Sequence, residues 1–260
     1  MDNIIKIALI QYDIKWESSQ ENLDKLSLMI GGLNSKPDLI LLPEMFNTGF
    51  SMKPQRILTT MTGEVIEWMK KTAIRSNSVI AGSCAIVEDE NYYNRFLVVY
   101  PSGDVQWYDK RHLFRMSGEE KVYSAGNKQV VVNINGWRCS LFVCYDVRFP
   151  VWMRNTGDYD MALCVANFPA SRIDAWKTLL KARAMENQCY VAGVNRIGEA
   201  PSASYNGNSI IYDFKGDVAA SLPESTEGII EAELSLNKLD DFKKNFPAWM
   251  DADSFLITDK

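Results

Sequence analysis

One histidine, His112, is all the chain has in 260 residues, and its five cysteines form no Cys-x-x-Cys pair. Any Ser/His/Asp triad or Cys/His pair must therefore run through residue 112. An odd number of unclustered cysteines argues against a disulfide framework and against a zinc site. No P-loop glycine pattern and no His/Glu metal spacing is present, so no cofactor or metal is expected. Basic excess is lacking too. The net charge is −5, the pI is about 5.1, and the one basic pair of note, Lys243-Lys244, is short. That balance argues against nucleic acid as a partner. No apolar run approaches the ~20 residues of a membrane span. The start, Met1 to Lys6, lacks the basic and apolar regions of a signal peptide, so a cytoplasmic protein is expected.

Neither a Pro/Gly/Ser-rich linker nor a repeat of fixed period divides the chain. A single domain over 1–260 is expected, with an irregular tail at 246–260. Periodicity predicts strands at 4–11, 38–42, 79–87, 94–100, 105–108, 129–134, 137–143, 159–166, 189–195, 209–214, 218–222 and 228–234. It predicts helices at 18–33, 62–76, 173–187 and 236–242, and a short one at 150–155. Ser18-x-x-Glu21 reads as a capping box. The stretch 113–127 has no clean period and reads as a loop. Alternating helices and strands with interspersed hairpins argue for an α/β sandwich with mixed sheets.

Leu141-Phe142-Val143-Cys144-Tyr145-Asp146 is a buried strand that stops at a cysteine. Ligand sites of open α/β sheets sit at such strand ends, and a thiol held there on a rigid element suits a nucleophile. The plain alternative is a core thiol, which is how Cys84, Cys139, Cys164 and Cys189 read within their apolar runs. Two more ionisable residues occupy the same kind of place. Glu44 follows Leu-Ile-Leu-Leu-Pro, and Lys110 follows Val-Gln-Trp-Tyr-Asp. Each alone reads as a solvated surface group. Together they describe a thiol, a carboxylate base and a cation that would favour thiolate and carboxylate. His112 points the same way as Lys110 in an extended segment. It is either a rival base or a brace for the loop.

These blocks, Leu-Pro-Glu44-Met-Phe, Tyr-Asp-Lys110-Arg-His-Leu-Phe and Val-Cys144-Tyr-Asp-Val-Arg148-Phe-Pro, resemble the three signature blocks of the nitrilase superfamily of carbon–nitrogen hydrolases, in the family's order. Residues 110–115, 187–196 and 246–253 resemble its bacterial omega-amidase branch. The resemblance implies an α-β-β-α sandwich of two mixed sheets flanked by helices, pairing into a homodimer. It implies a second glutamate, Glu119 or the adjacent Glu120, with Glu119 favoured by alignment. It implies that Cys144 attacks a small-molecule amide, Glu44 moves the proton, and Lys110 with the Tyr145 backbone N–H holds the oxyanion. The branch acts on 2-oxoglutaramate and 2-oxosuccinamate. Arg148 or Arg172 would then hold the substrate carboxylate, unless Arg148 is a structural partner of Asp146 or another carboxylate. Phe114, Asn167 and Phe168 would wall the pocket. Other amide, carbamoyl or nitrile hydrolases share the Glu/Lys/Cys set, and a scaffold that has lost catalysis could share the fold.

Overall fold

A computed structural model describes residues 3–258. In chain order the strands are β1 (Ile4–Gln11), β2 (Leu39–Leu41), β3 (Val79–Glu88), β4 (Asn91–Val99), β5 (Val105–Asp109), β6 (Val131–Ile134) and β7 (Trp137–Val143). They continue with β8 (Met161–Ala166), β9 (Tyr190–Asn195), β10 (Ile197–Ala200), β11 (Ala203–Asn206), β12 (Ile210–Tyr212), β13 (Val218–Ser221) and β14 (Gly228–Ser235). The α-helices are α1 (Ser19–Gly31), α2 (Glu64–Ser76), α3 (Ile173–Asn187) and α4 (Leu236–Asn245).

Two six-stranded sheets form, in the orders β14-β1-β2-β3-β4-β5 and β13-β12-β9-β8-β7-β6. The cores of both are parallel, β1-β2-β3 in one and β7-β8-β9 in the other, with antiparallel strands outside. Strands buried on both faces read as unbroken apolar runs, and β1 shows why. Ile5, Ile7 and Leu9 face the second sheet in the same core as Leu141, Val143 and Leu163. Ala8 and Ile10 face the opposite way, against Leu23, Leu26 and Ile30 of α1 and Val65 and Met69 of α2. On the far side of the second sheet, α3 lays Trp176 and Leu180 on β9. Gly193 permits that approach, because a Cβ there would sit 2.4 Å from Leu180 Cδ1. The layers are therefore α-β-β-α, as the resemblance implies. Among the described residues no helix is long and apolar enough to cross a membrane.

Several local expectations differ from what forms. Ser18 makes no side-chain capping bond. The Glu21 carboxylate is drawn instead to the Lys15 ammonium, while Asn22 ties down Lys15 from both its N–H and its C=O, each at 2.8 Å. No helix forms at 150–155, where 150–153 is turn and 154–155 is irregular. The helical turn comes earlier, as a 3₁₀ turn at Cys144–Arg148, because Asp146 turns back to accept from Val143 N–H at 2.9 Å. The stretch 113–127 contains two 3₁₀ turns, Arg115–Ser117 and Glu119–Lys121, hinged on Gly118 at φ +76°. Strands β10 and β11 pair as a separate hairpin. Their short, unalternating sequences carried no strand signal. The segment after residue 246 holds a 3₁₀ turn at Ala248–Asp251 and no regular structure from there to residue 258.

Candidate active site

Strand direction alone assembles this site. β2 and β3 run parallel, and β5 runs the same way as β3 because both are antiparallel to β4. Their carboxyl ends therefore share one edge of the first sheet. Glu44 lies just beyond β2, and Lys110 directly follows β5. β4 runs the other way, so its beginning, with Asn94, lies at that same edge. In the second sheet β7, β8 and β9 are parallel. Cys144 and Asn167 immediately follow β7 and β8, and Asn195 ends β9. The backbone bends sharply at the two reacting positions. Cys144 sits at φ +47° and Met45, next to Glu44, at φ +43°. Such conformations cost an L-residue of order 1 kcal/mol and persist only where surrounding contacts impose them.

The Lys110 ammonium is the hub. Its Nζ donates to Glu44 Oε1 at 2.9 Å and to Glu119 at 3.0 Å (Oε1) and 2.9 Å (Oε2). It also stands 5.0 Å from the centre of the Phe50 ring. Glu44, Lys110 and Glu119 are all buried, none more than 1% exposed. Asn94 Nδ2 donates to Glu44 Oε1 at 2.8 Å and to Glu119 Oε1 at 3.3 Å. Asn167 N–H donates to Glu44 Oε2 at 2.8 Å, and the Asn167 side chain donates to the Glu44 carbonyl. Glu44 Oε1 thus has both lone pairs filled, and Oε2 keeps one open. The Gly118 hinge puts Glu119, not Glu120, into this cluster. Glu120 is half-buried on the wall of a neighbouring cavity.

A cavity of about 230 Å³ opens at this edge. Glu44, Lys110, Phe114, Cys144, Tyr145, Arg148, Asn167, Phe168 and Arg172 all line it, so nine of the ten residues singled out from the sequence meet there. Glu119 stands behind them, holding Lys110 and accepting from Phe114 N–H. Among the described residues no cluster of three metal-ligating side chains occurs.

The family model for carbon–nitrogen hydrolases matches residues 6–244. The chain belongs to that family. It is 45% identical to omega-amidase YafV of Yersinia enterocolitica, over 97% of this chain and 98% of that one. It is 33% identical to 2-oxoglutaramate amidase of Bacillus subtilis, over 94% and 96%. A solved CN-hydrolase superfamily protein from Xanthomonas campestris, with an arsenic adduct in its active site, superposes with a TM-score of 0.95 at 37% identity, covering 99% and 100% of the two chains. This carbon–nitrogen hydrolase is an amidohydrolase of the nitrilase fold.

The electrostatics of this hydrolase set opposing influences on the sulfur. Burial pushes the Cys144 thiol well above its usual value, and the Glu44 charge pushes it further, with Lys110 opposing both. The balance favours the Cys144 thiol over the thiolate. Burial also raises the Glu119 carboxyl, against the pull of Lys110. Burial pulls Lys110 down, but Glu119 and Glu44 together outweigh it and leave the lysine raised. His112 is engaged elsewhere. Its Nδ1 lies 2.8 Å from Asp146 Oδ1, and its ring stacks on Phe149 at 3.7 Å. Asp146 also receives Tyr108 O–H at 2.8 Å and His112 N–H at 3.0 Å. His112 is thus the brace and not the base. Asp146 is fully spoken for, so the alternative Arg148–Asp146 pair does not form. Arg148 and Arg172 instead lie over Phe168 and Phe114, at 5.8 and 5.0 Å from the ring centres. Neither is paired with a carboxylate among the described residues.

Sequence reading missed three parts of this hydrolase site. Asn94 and Ser83 are one, with Ser83 Oγ fixing the Asn94 amide at 2.8 Å so that its NH₂ faces the carboxylates. Phe50, under the ammonium, is the second. The hairpin β10–β11 is the third, contributing Ala203, Tyr205 and, at its turn, Ser202 to the cavity wall. Only Ser83 carried a signal, as a polar residue inside the otherwise apolar run 79–87; Asn94 sits beside Arg95 and carried none.

Proposed function

We propose that this hydrolase cleaves the terminal amide of a short 2-oxo dicarboxylic acid monoamide, releasing ammonia through a Cys144 thioester. The observation that carries the reading is the cavity wall. Two arginines without carboxylate partners among the described residues, Arg148 and Arg172, line the same small space as the buried Glu44–Lys110–Cys144 cluster. A cation with no anion beside it, facing a cavity of this size, suits a substrate that brings its own carboxylate. The relatives named omega-amidase YafV and 2-oxoglutaramate amidase point to the same class.

The steps follow from which atoms are occupied. Cys144 Sγ attacks the amide carbon, and its proton passes to Glu44 Oε2, the oxygen with an open lone pair. The oxyanion that develops meets the Lys110 ammonium and the Tyr145 N–H. That N–H lies in the first turn of the 3₁₀ segment, where backbone donors have no intrahelical acceptor. Glu44 returns the proton to the departing nitrogen as ammonia forms. It then takes a proton from water as the water attacks the thioester, and Cys144 leaves with that proton restored. Glu119 and Asn94 hold Glu44 and Lys110 in place throughout.

Ammonia release across a substrate panel tests the substrate class. The monoamides of 2-oxopentanedioic and 2-oxobutanedioic acids should exceed an uncharged amide of equal length by roughly 10²-fold in kcat/KM, since the uncharged compound leaves an arginine unpaired. Equal or faster turnover of uncharged amides, N-carbamoyl amines or nitriles would rule this reading out.

We also propose a homodimer. The segment after α4 exposes Phe246, Trp249, Met250, Phe255 and Leu256, the last at 94%. So much apolar surface in a dozen residues suits a covered face better than solvent. Light scattering should give about twice the 29.5 kDa chain mass; a monomer at micromolar concentration would contradict it.

A further inference from the structure

We infer that Tyr205, on the β10–β11 hairpin, is the specificity residue that reads the 2-oxo group of the substrate. Tyr205 is 7% exposed and lines the cavity. Its hydroxyl hydrogen-bonds to no other described residue, yet it is not among the polar atoms sealed away from solvent without a partner. The residue lines the cavity, and its hydroxyl keeps some accessible surface and is uncommitted. A tyrosine this buried whose hydroxyl has no protein partner stands out, because buried polar groups are nearly always paired.

The ring is fixed even though the hydroxyl is not. Arg196 stacks on it, with Cζ 4.7 Å from the ring centre. Arg196 is itself fully buried and anchored to Ile14 O at 2.8 Å and Ile197 O at 3.0 Å. At the foot of the hairpin, Asn195 Nδ2 donates to Phe168 O at 2.9 Å and Gly207 O at 2.7 Å, tying the hairpin to the cavity wall. Tyr205 is thus held as a rigid donor and not as a mobile flap.

Its position selects what it would read. β11 packs against the 3₁₀ turn that carries Arg172. Tyr205 lies within electrostatic reach of Cys144, Glu44 and Arg172 alike. An amide carbon at Cys144 and a carboxylate at Arg172 would place the oxygen next to the carboxylate, the 2-oxo oxygen, beside the hairpin. The chemistry agrees. A carboxylate is best met by a guanidinium, whereas a neutral ketone needs a neutral donor. Burial pushes the Tyr205 hydroxyl up to about 12, so it keeps its proton and donates throughout the neutral range.

The inference rests on the 2-oxo acid reading above, and its test separates the two. Two monoamides are compared, 2-oxopentanedioic acid monoamide and its analogue with CH₂ in place of the ketone. The readout is the ratio of their kcat/KM values. Tyr205→Phe keeps the ring on Arg196 and removes only the hydroxyl. The oxo/deoxo ratio should fall by roughly 5- to 20-fold in Y205F, the effect of losing one well-placed hydrogen bond. A ratio equal to that of the wild type, whether or not both rates drop, overturns the inference alone. A wild type that releases ammonia from neither compound overturns the 2-oxo acid reading and this inference with it. A measurement without any variant gives a second check: 2-oxopentanedioate should inhibit the wild type at least about fivefold more tightly than pentanedioate, and equal inhibition also overturns the inference.

Discussion

Cys144→Ala is expected to lower turnover by about 10⁴-fold or more while the protein stays folded, because the bond-forming atom is gone and every positioning group remains. The loss should sit almost wholly in kcat. The cavity lining and its two arginines do not depend on the sulfur, so substrate binding persists. Stability should change by less than about 1 kcal/mol, since Cys144 is half-buried and Glu44 keeps its bonds from Lys110, Asn94 and Asn167. The four remaining cysteines make the experiment clean. All are buried, whereas Cys144 is partly exposed and lines the cavity. Iodoacetamide should therefore carbamidomethylate Cys144 alone, with activity lost in step with that single modification by mass spectrometry. Comparable ammonia release from the alanine variant, or inactivation through any other cysteine, would end the thioester scheme.

How much of this was visible in the chain itself depended on range. Glu44, Lys110 and Cys144 were legible because each ends an apolar strand, and strand ends are local signals. Alternating strands and helices made convergence plausible from the chain alone, and the strand directions then account for it. Asn94 was not legible as part of the site. Its role is set by hydrogen bonds to residues 11, 25 and 50 positions away, which no periodicity encodes. Tyr205 was lost because a hairpin of two four-residue strands with Gly198 and Ala200 gives no alternation. The choice between Glu119 and Glu120 needed the backbone of Gly118, since adjacent side chains point apart. The pull of Lys110 toward thiolate runs in the direction read from the sequence, but the desolvation of the site and the charge of Glu44 are larger.

Lys110→Met should destabilise the protein by about 3–5 kcal/mol, because it leaves two buried carboxylates facing each other without their cation. Glu44 and Glu119 are both fully buried and share the one ammonium at 2.9 Å. Without it, one of them must hold a proton to stay folded. Glu119 is already raised by burial in the native cluster, so it is the natural site. A carboxyl raised in the folded state binds more protons there than in the unfolded chain. Its contribution is then fully present below the unfolded value, about 4.3, and is lost as pH climbs toward the folded value. The deficit of the methionine variant should accordingly be larger at pH 8 than at pH 5, the reverse of ordinary acid unfolding. Urea denaturation of both proteins at the two pH values measures it. Adding Glu119→Gln should recover much of the lost stability, because one of the two repelling charges is removed. Catalysis should not recover with it. Losing the ammonium costs roughly 10²–10³-fold in kcat as an oxyanion donor, and a neutral amide at position 119 does not replace that charge. A deficit independent of pH, or a double variant no more stable than Lys110→Met alone, would mean the ammonium does not hold the two carboxylates together. Regained activity in the double variant would mean Lys110 serves the fold and not the reaction.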